Sequence, residues 1–342
     1  MMTIPPRFPD QPVALCHNRM QVYSVVRETP DVWTLSLINH DLYSYRPGQF
    51  ALVNIGESGE VLRAYTLSST PGISRFITLT VRHISDGVGS GWLTQQVKAG
   101  DYLWLSDAQG EFVCETSGGE PPLLLLAAGC GVTPVMSIAR DVLAHHPQQS
   151  VQVFYSVRSP QEVIFAAEWQ RLAARYPQLK LTVLAEQHAQ PGQIAGRLSQ
   201  DILQSQVPDI SARRVMICGP APYMTLAGNW AAELGAAAQN IIKEQFQTVA
   251  ESISTDAELT LTRLTPLGNY RVPVGATLLA AMEQHQLPVT AACRAGVCGS
   301  CKTRVISGKY QTTSTMTLSA AEIAGGYVLA CSCQLEGDVT IA

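Results

Sequence analysis

Four cysteines, Cys293, Cys298, Cys301 and Cys331, follow the spacing C-x4-C-x2-C-x29-C. Thiolates at these intervals are the ligands of a [2Fe–2S] cluster. No other feature limits the fold as much. Three ligands must curl round one inorganic core, and the fourth must return to it from a separate segment. The run Cys293-Arg294-Ala295-Gly296-Val297-Cys298-Gly299-Ser300-Cys301 suits that demand. Small residues and glycines let the backbone turn tightly and aim amide N–H groups at sulfur. A structural zinc site is the competing use of four thiols, but zinc ribbons take two separated pairs. Cys331-Ser332-Cys333 offers two thiols for the last position. A cluster of this kind moves one electron at a time, so the rest of the chain must bring electrons in and pass them on.

The 342 residues suffice for two or three domains. Nine cysteines is an odd number, and five of them fall in the last 50 residues. A disulfide framework would be spread more evenly, so metal-binding thiols in a reducing compartment are expected. Net charge is −4 and there is no basic stripe, which argues against nucleic-acid binding. The amino-terminal residues lack the apolar core of a signal peptide, and the most apolar run, 123–128, is strand length. A cytoplasmic protein without membrane insertion is the expectation. Residues 256–342 carry six basic and six acidic side chains, so the cluster-bearing module is close to neutral. A module tethered to its electron source has little need of charge steering.

The patterning divides the chain. Residues 1–17 read as a proline-rich tail. From 18 to 117, short β-rich runs at 20–26, 32–37, 49–55, 63–68, 76–81 and 102–105 predict a small antiparallel β-barrel. From 118 to 247 strands alternate with helices, predicting an α/β module built on a parallel sheet. Strands are expected at 123–127, 151–157, 180–185 and 215–218, and helices near 134–144, 165–175 and 223–234. A polar linker at 248–257 leads to a third, α+β module at 258–342, with one helix near 277–285.

Chemistry-bearing residues fall at particular places in these modules. On the strand Arg63-Ala64-Tyr65-Thr66, alternation puts Arg63 and Tyr65 on one face and Thr66 on the other. A guanidinium suits a phosphate, a phenol ring can stack on a flat heterocycle, and a hydroxyl can bond a ring nitrogen. Thr80-Val81-Arg82 follows on a strand, and Asp86-Gly87-Val88-Gly89-Ser90 precedes a helix expected near 91–93. Glycines opening a helix expose N–H groups suited to a pyrophosphate. A second such turn, Gly129-Cys130-Gly131-Val132-Thr133-Pro134, ends the apolar strand, with Pro134 in the first helical turn. Cys218-Gly219-Pro220 ends a later strand, where a buried core thiol is the ordinary reading. Glu244 is expected to be a solvated carboxylate. Arg158, at the end of the second parallel strand, has no carboxylate beside it in sequence. The strand-end rule therefore leans towards NADPH.

Taken in order, R-A-Y-T, the G-x-G-x-T-P turn, C-G-P and the cysteine triplet resemble the ferredoxin–NADP⁺ reductase superfamily with a carboxy-terminal plant-type [2Fe–2S] domain. The stretches A-A-G-C-G-V-T-P, C-G-P-A-P-Y-M and C-R-A-G-V-C-G resemble the branch that reduces the hybrid-cluster protein. The resemblance implies an FAD-binding barrel, an NAD-binding domain and a β-grasp ferredoxin domain. It implies flavin contacts from Arg63, Ala64, Tyr65, Thr66, Thr80, Val81, Arg82, Gly87, Gly89 and Ser90. Nucleotide contacts would come from Gly129, Cys130, Gly131, Thr133, Pro134, Arg158, Gly219 and Pro220. Cys218 would lie near the carbon that gives up hydride, and Thr66 near the flavin ring, as the catalytic pair. The last cluster ligand follows an apolar-Ala pair in this family, as Leu329-Ala330-Cys331 does here, which selects Cys331 over Cys333. At Arg158 the family pattern favours NADH. The implied activity is an NADH oxidoreductase passing electrons through FAD and the cluster to a partner protein in hydroxylamine or nitric-oxide metabolism. The alternatives are the reductase component of a Rieske-type oxygenase and a redox or nitric-oxide sensor.

Overall fold

The computed structural model describes residues 15–39, 41–56, 61–114, 121–244, 246, 257–291 and 293–342. Most of the expected tail, and all but the last residue of the expected linker, lie outside these. Contacts divide the chain into two units, residues 1–59 with 64–246 and residues 60–63 with 247–342.

The first part of the larger unit is a six-stranded sheet in the order β4-β3-β6-β1-β2-β5. Its strands are β1 (Asn18–Thr29), β2 (Val32–Asn39), β3 (Phe50–Ile55), β4 (Val61–Thr66), β5 (Ile77–Arg82) and β6 (Tyr102–Leu105). β1 pairs antiparallel with β2 and β6, β2 with β5, and β3 with β6. Helix α1 (Val88–Gln95) follows β5. It begins earlier than the sequence predicts because Gly87 takes an extended cap conformation, so Gly89 and Ser90 lie inside its first turn.

The second part is an all-parallel sheet in the order β10-β9-β8-β7-β11-β12. The strands are β7 (Leu123–Ala128), β8 (Val151–Val157), β9 (Leu179–Ala185), β10 (Ile194–Ala195), β11 (Arg214–Cys218) and β12 (Ile241–Glu244). Helices α2 (Val132–His145), α3 (Ala166–Arg175), α4 (Gln200–Gln206) and α5 (Ala221–Glu233) cover both faces. That explains the unbroken apolar run of β7, since a parallel strand buried on both sides has no wet face. Leu123, Leu125 and Ala127 join the core beneath α2 and α3, while Leu124 and Leu126 join the core beneath α4 and α5. α4 escapes the sequence reading because seven residues are too few to show a period. Its signal is the Ser199 cap, whose Oγ accepts from the Ile202 N–H at 3.3 Å.

The smaller unit is a five-stranded mixed sheet in the order β14-β13-β17-β15-β16. Its strands are β13 (Glu258–Leu264), β14 (Leu267–Pro273), β15 (Lys302–Thr312), β16 (Tyr327–Leu329) and β17 (Cys333–Ile341). Helix α6 (Leu278–Gln284), capped by Thr277, lays Leu278, Leu279, Ala281 and Met282 into its core. α7 (Ala320–Ala324) starts with a capping box between Ser319 and Glu322. No helix among the described residues is long and apolar enough to cross a membrane.

Within the larger unit, Arg140 on α2 fastens the two sheets together. Its Nη1 donates to the Ser68 carbonyl at 2.6 Å, just beyond β4. Its Nε and Nη2 donate to the two Glu168 carboxylate oxygens on α3 at 2.6 and 2.7 Å. Burial alone would raise the Glu168 carboxyl, but the Arg140 guanidinium outweighs it and holds the group below its usual range. Thr70 Oγ1 donates to the Ser137 carbonyl, and Ser137 Oγ to the Ser69 carbonyl, beside this clamp. Arg140→Ala should therefore lower stability by about 3 kcal/mol, because it strands a partly buried carboxylate. Arg140→Lys should recover little, since an ammonium cannot make the two-pronged contact. Urea unfolding of both variants checks this.

Candidate functional site

The order β8-β7-β11 reverses direction of growth between β7 and β11, and open parallel sheets bind ligands at such a switch, beyond the carboxyl ends of the strands. Both strand ends carry glycines there. After β7, residues Gly129–Gly131 form a single 3₁₀ turn that runs into α2. Gly131 lies so close to the end of β11 that an added Cβ would sit 2.1 Å from the Cys218 carbonyl oxygen. Only glycine permits that approach, which sets the turn against Cys218-Gly219. The first turn of α2 has neither an acidic side chain nor a side-chain cap, so no carboxylate or hydroxyl of its own competes with an anion at the start of the helix. Thr133 Oγ1 donates to the Cys130 carbonyl at 2.9 Å and stiffens the turn, and Pro134 is buried.

Three polar atoms at this crevice are sealed from solvent and have no hydrogen-bond partner: Ser156 Oγ at the end of β8, Tyr223 Oη on α5 and Glu244 Oε2 at the end of β12; Thr66 Oγ1, at the end of β4 on the antiparallel sheet, is sealed and unpartnered too. Native proteins rarely leave such groups unpaired, so their grouping marks a place for polar ligand atoms. Burial pushes the Tyr223 phenol up, with Ser156 beside it tempering the shift. Glu244 departs from the sequence expectation. It is half-buried, lies opposite Cys218 in the β11–β12 pairing, and carries a carboxyl raised by burial to about 8. At neutral pH it holds a proton. It also reaches the first sheet's module, since a methyl added at Gly110 would lie 3.6 Å from its Oε1. The Cys218 thiol is raised by burial first, then by Glu244 and Cys130, so it too is neutral.

On the antiparallel sheet, Arg63, Ala64 and Tyr65 are half-buried on β4, and Thr66 is buried. Thr80 spends its hydroxyl on Thr34 and Ser68, each at 2.9 Å, and Val81 is buried, so both side chains hold the strand in place. Arg82 points from the end of β5 towards the nucleotide crevice, with Nε 3.2 Å from Asp31 Oδ2. Ser90 Oγ accepts from the Ile84 N–H at 3.1 Å, which folds the Gly87–Gly89 segment back at the start of α1. Arg158 lies just past β8, with a largely exposed side chain.

In the smaller unit the four predicted cysteines converge, and all are free thiols. Cys301 Sγ lies 3.3 Å from Cys331 Sγ, and the Cys293 thiol is held far down by hydrogen bonds from Cys298 and then Cys331. Among the described residues no three His, Cys, Asp or Glu side chains are set to hold one ion. Amide N–H groups already face the sulfurs, from Gly296 to Cys331 at 3.1 Å and from Ala295 to Cys293 at 3.4 Å. Gly296 has φ +70°, and a Cβ there would meet Ser314 Cβ at 2.8 Å, so the loop needs glycine at this point. Cys333 shares the buried core with Cys301 and Cys331, and burial alone pushes its thiol up to about 12.

Sequence reasoning missed the sealed, unpartnered hydroxyls Ser156 and Tyr223, and it missed Glu162 and Asp31 beside Arg158. The first pair lay within motifs already singled out. Asp31 had no local signal, because it comes from another module, whereas Glu162 stands four residues after Arg158, the spacing of an ion pair.

Known proteins agree with this organisation. Residues 21–114 match the oxidoreductase FAD-binding domain, 125–228 the oxidoreductase NAD-binding domain, and 266–336 the 2Fe-2S iron-sulfur cluster binding domain. The chain is 55% identical to NADH oxidoreductase HCR of Escherichia coli (strain K12), over 97% of this chain and 99% of that one. It is 30% identical to the ferredoxin reductase component of 3-ketosteroid-9-alpha-monooxygenase of Mycobacterium tuberculosis, over 96% of each. The solved structure of phthalate dioxygenase reductase shares the fold, with a TM-score of 0.64 and 21% identity over 94% of this chain and 97% of that one. The cofactors are therefore FAD and a [2Fe–2S] cluster, with NADH as the electron donor. This chain belongs to the NADH oxidoreductases of the ferredoxin–NADP⁺ reductase superfamily that join FAD-binding, NAD-binding and [2Fe–2S] domains in one polypeptide.

Proposed function

We propose that this reductase delivers the electrons of NADH to the hybrid-cluster protein, in the cytoplasm, as part of hydroxylamine or nitric-oxide metabolism. The observation that carries the choice of partner is the 55% identity to NADH oxidoreductase HCR, sustained from end to end. The oxygenase reductase cited above falls to 30% over a similar span. Purified reductase with NADH should reduce the hybrid-cluster protein at least about tenfold faster than it reduces a Rieske oxygenase, read by anaerobic stopped-flow absorbance. Equal rates would remove the ground for this partner.

When bound, FAD accepts the two electrons of a hydride and releases them singly, which is the form the cluster can carry. The residues of the chain bind, orient and shield. Arg63 is assigned to the flavin pyrophosphate together with the start of α1 at Gly87, Gly89 and Ser90. Tyr65 and Ala64 flank the ring, and Thr66 Oγ1, sealed and unpartnered, supplies a hydrogen bond to it. Thr80 and Val81 support that wall from behind, and Arg82 borders it. The turn Gly129-Cys130-Gly131 with Thr133 and Pro134 is assigned to the nucleotide pyrophosphate, Ser156 and Arg158 to the adenosine side, and Cys218, Gly219 and Pro220 to the nicotinamide. A neutral Cys218 bounds the ring without adding charge to it, and Glu244, its carboxyl raised by burial to about 8, lies in the same crevice. Cys293, Cys298, Cys301 and Cys331 are assigned as cluster ligands.

The domain limits that fit this reading are 18–117, 118–247 and 258–342. The first sheet is read as a closed barrel, because Leu67 bridges to Leu79 and so ties the segment after β4 to β5 at the opposite edge. The last is read as a β-grasp, a mixed sheet gripping α6.

Cys298→Ser should remove the visible and electron-paramagnetic signature of the cluster while NADH-to-ferricyanide activity stays within about threefold of wild type. Loss of both, or survival of the signature, would show that the ligand set is wrong. Glu244 gives a pH dependence. Its folded pKa lies above the unfolded one, so the protein is most stable below about 4.5 with respect to this group and loses that contribution as pH rises towards about 8. Glu244→Gln should flatten thermal stability across that window, measured by melting at a series of pH values.

A further inference from the structure

Four charged side chains from three segments meet at the rim of the nucleotide crevice. Asp31 lies in the turn between β1 and β2, Arg82 ends β5, Arg158 follows β8, and Glu162 lies in the 3₁₀ turn Pro160–Glu162 just beyond. Arg158 Nε and Nη2 each lie 2.9 Å from Glu162 Oε2, and Nη2 is 3.9 Å from Asp31 Oδ2. Arg82 closes the circuit, with Nε 3.2 Å from Asp31 Oδ2 and Nη2 3.9 Å from Glu162 Oε2. Two guanidiniums and two carboxylates leave no net charge.

The strand-end rule alone leans towards the 2′-phosphate of NADPH at Arg158, because no carboxylate stands beside it in sequence, whereas the family pattern favours NADH. The fold supplies the carboxylate that the strand end lacks. The donors that a phosphate dianion would need are already occupied by a carboxylate, and a phosphate placed there would meet Glu162 with no proton or cation between them. A carboxylate at this place is also the group that accepts the 2′-hydroxyl of an unphosphorylated ribose. Glu162 arrives four residues after Arg158 rather than on the strand, so only the turn brings the two together.

We propose that Glu162, held by Arg158 and Arg82 and backed by Asp31, is the residue that selects NADH over NADPH. It accepts from the adenosine ribose hydroxyls and keeps Arg158 from serving as a phosphate site. Asp31 belongs to the FAD-binding module, so the device is complete only when the two modules of the larger unit are packed. This inference rests on placing the adenosine at the end of β8.

The test is equilibrium binding of 5′-AMP and 2′,5′-ADP to the flavin-loaded protein by calorimetry, with NADH competition to confirm a shared site. In wild type 5′-AMP should bind more tightly. Glu162→Gln should tighten 2′,5′-ADP about tenfold, equivalent to about 1.4 kcal/mol, and loosen 5′-AMP. Asp31→Asn should move the ratio the same way by less, and Glu162→Asp should retain the wild-type preference. Adding Arg158→Ala to Glu162→Gln should cancel the gain, since the freed guanidinium produces it. Flavin absorbance and melting temperature show that each variant is folded. An unchanged ratio in Glu162→Gln, with both nucleotides still competing against NADH, would overturn the selection role alone. Failure of either nucleotide to compete, or indifference of both to Arg158→Ala, would overturn the placement and the inference with it.

Discussion

The contact between Gly131 and the Cys218 backbone sets the geometry on which the rest of the larger unit depends. β7 and β11 are neighbours in a parallel sheet, and the chain must leave β7 by a turn that passes over the end of β11. A Cβ at Gly131 would overlap the Cys218 carbonyl oxygen, so any side chain would lift the turn away. With glycine there, the start of α2, the Cys218-Gly219-Pro220 segment and the end of β12 share one crevice. The start of α2, which carries no acidic side chain, then borders the same space as the neutral thiol of Cys218 and the protonated Glu244.

The division of charge round that crevice is consistent with its chemistry. Inside, the titratable groups are neutral because burial penalises their ionised forms. At the rim, four charged groups cancel one another through short ion pairs. Under the proposed placement, a hydride donor that becomes cationic as it reacts would meet neutral groups in the centre, and formal charge would be kept for recognition at the nucleotide's far end. Arg140 adds a structural counterpart. Its bidentate pairing with Glu168 and its bond to the Ser68 carbonyl hold the FAD-binding and NAD-binding modules in one unit.

Particular residues show how much could be read without coordinates. The cysteine triplet is local, and Cys293, Cys298 and Cys301 were legible because a tight loop encodes its own ligand spacing. Cys331 against Cys333 was open to the residues alone; both are buried in one core, and it is Cys331 whose sulfur lies beside Cys301 and accepts from the Gly296 N–H. The alternation of strands with helices predicted a parallel sheet, and the leucines of β7 are found buried on both its faces. Glu244 was misjudged as solvated, since its burial comes from β11 and from the segment around Gly110, neither near it in sequence. Arg158 was judged by its neighbours on the strand, whereas its partners are Glu162, one turn later, and Asp31, more than a hundred residues earlier.

By itself, the sequence determined what depends on short-range covalent geometry: the strand and helix order, the glycine turns at two helix starts, and the four-thiol spacing. These follow from backbone sterics and side-chain period, which neighbouring residues settle among themselves. Only the tertiary structure decided the states of the groups that carry chemistry. Whether Glu244 holds a proton, whether Cys218 is a thiol, and whether Arg158 can receive a phosphate all depend on burial and on charges brought from distant segments. Solvation and Coulomb energies act through space, so they exist only once the chain has folded.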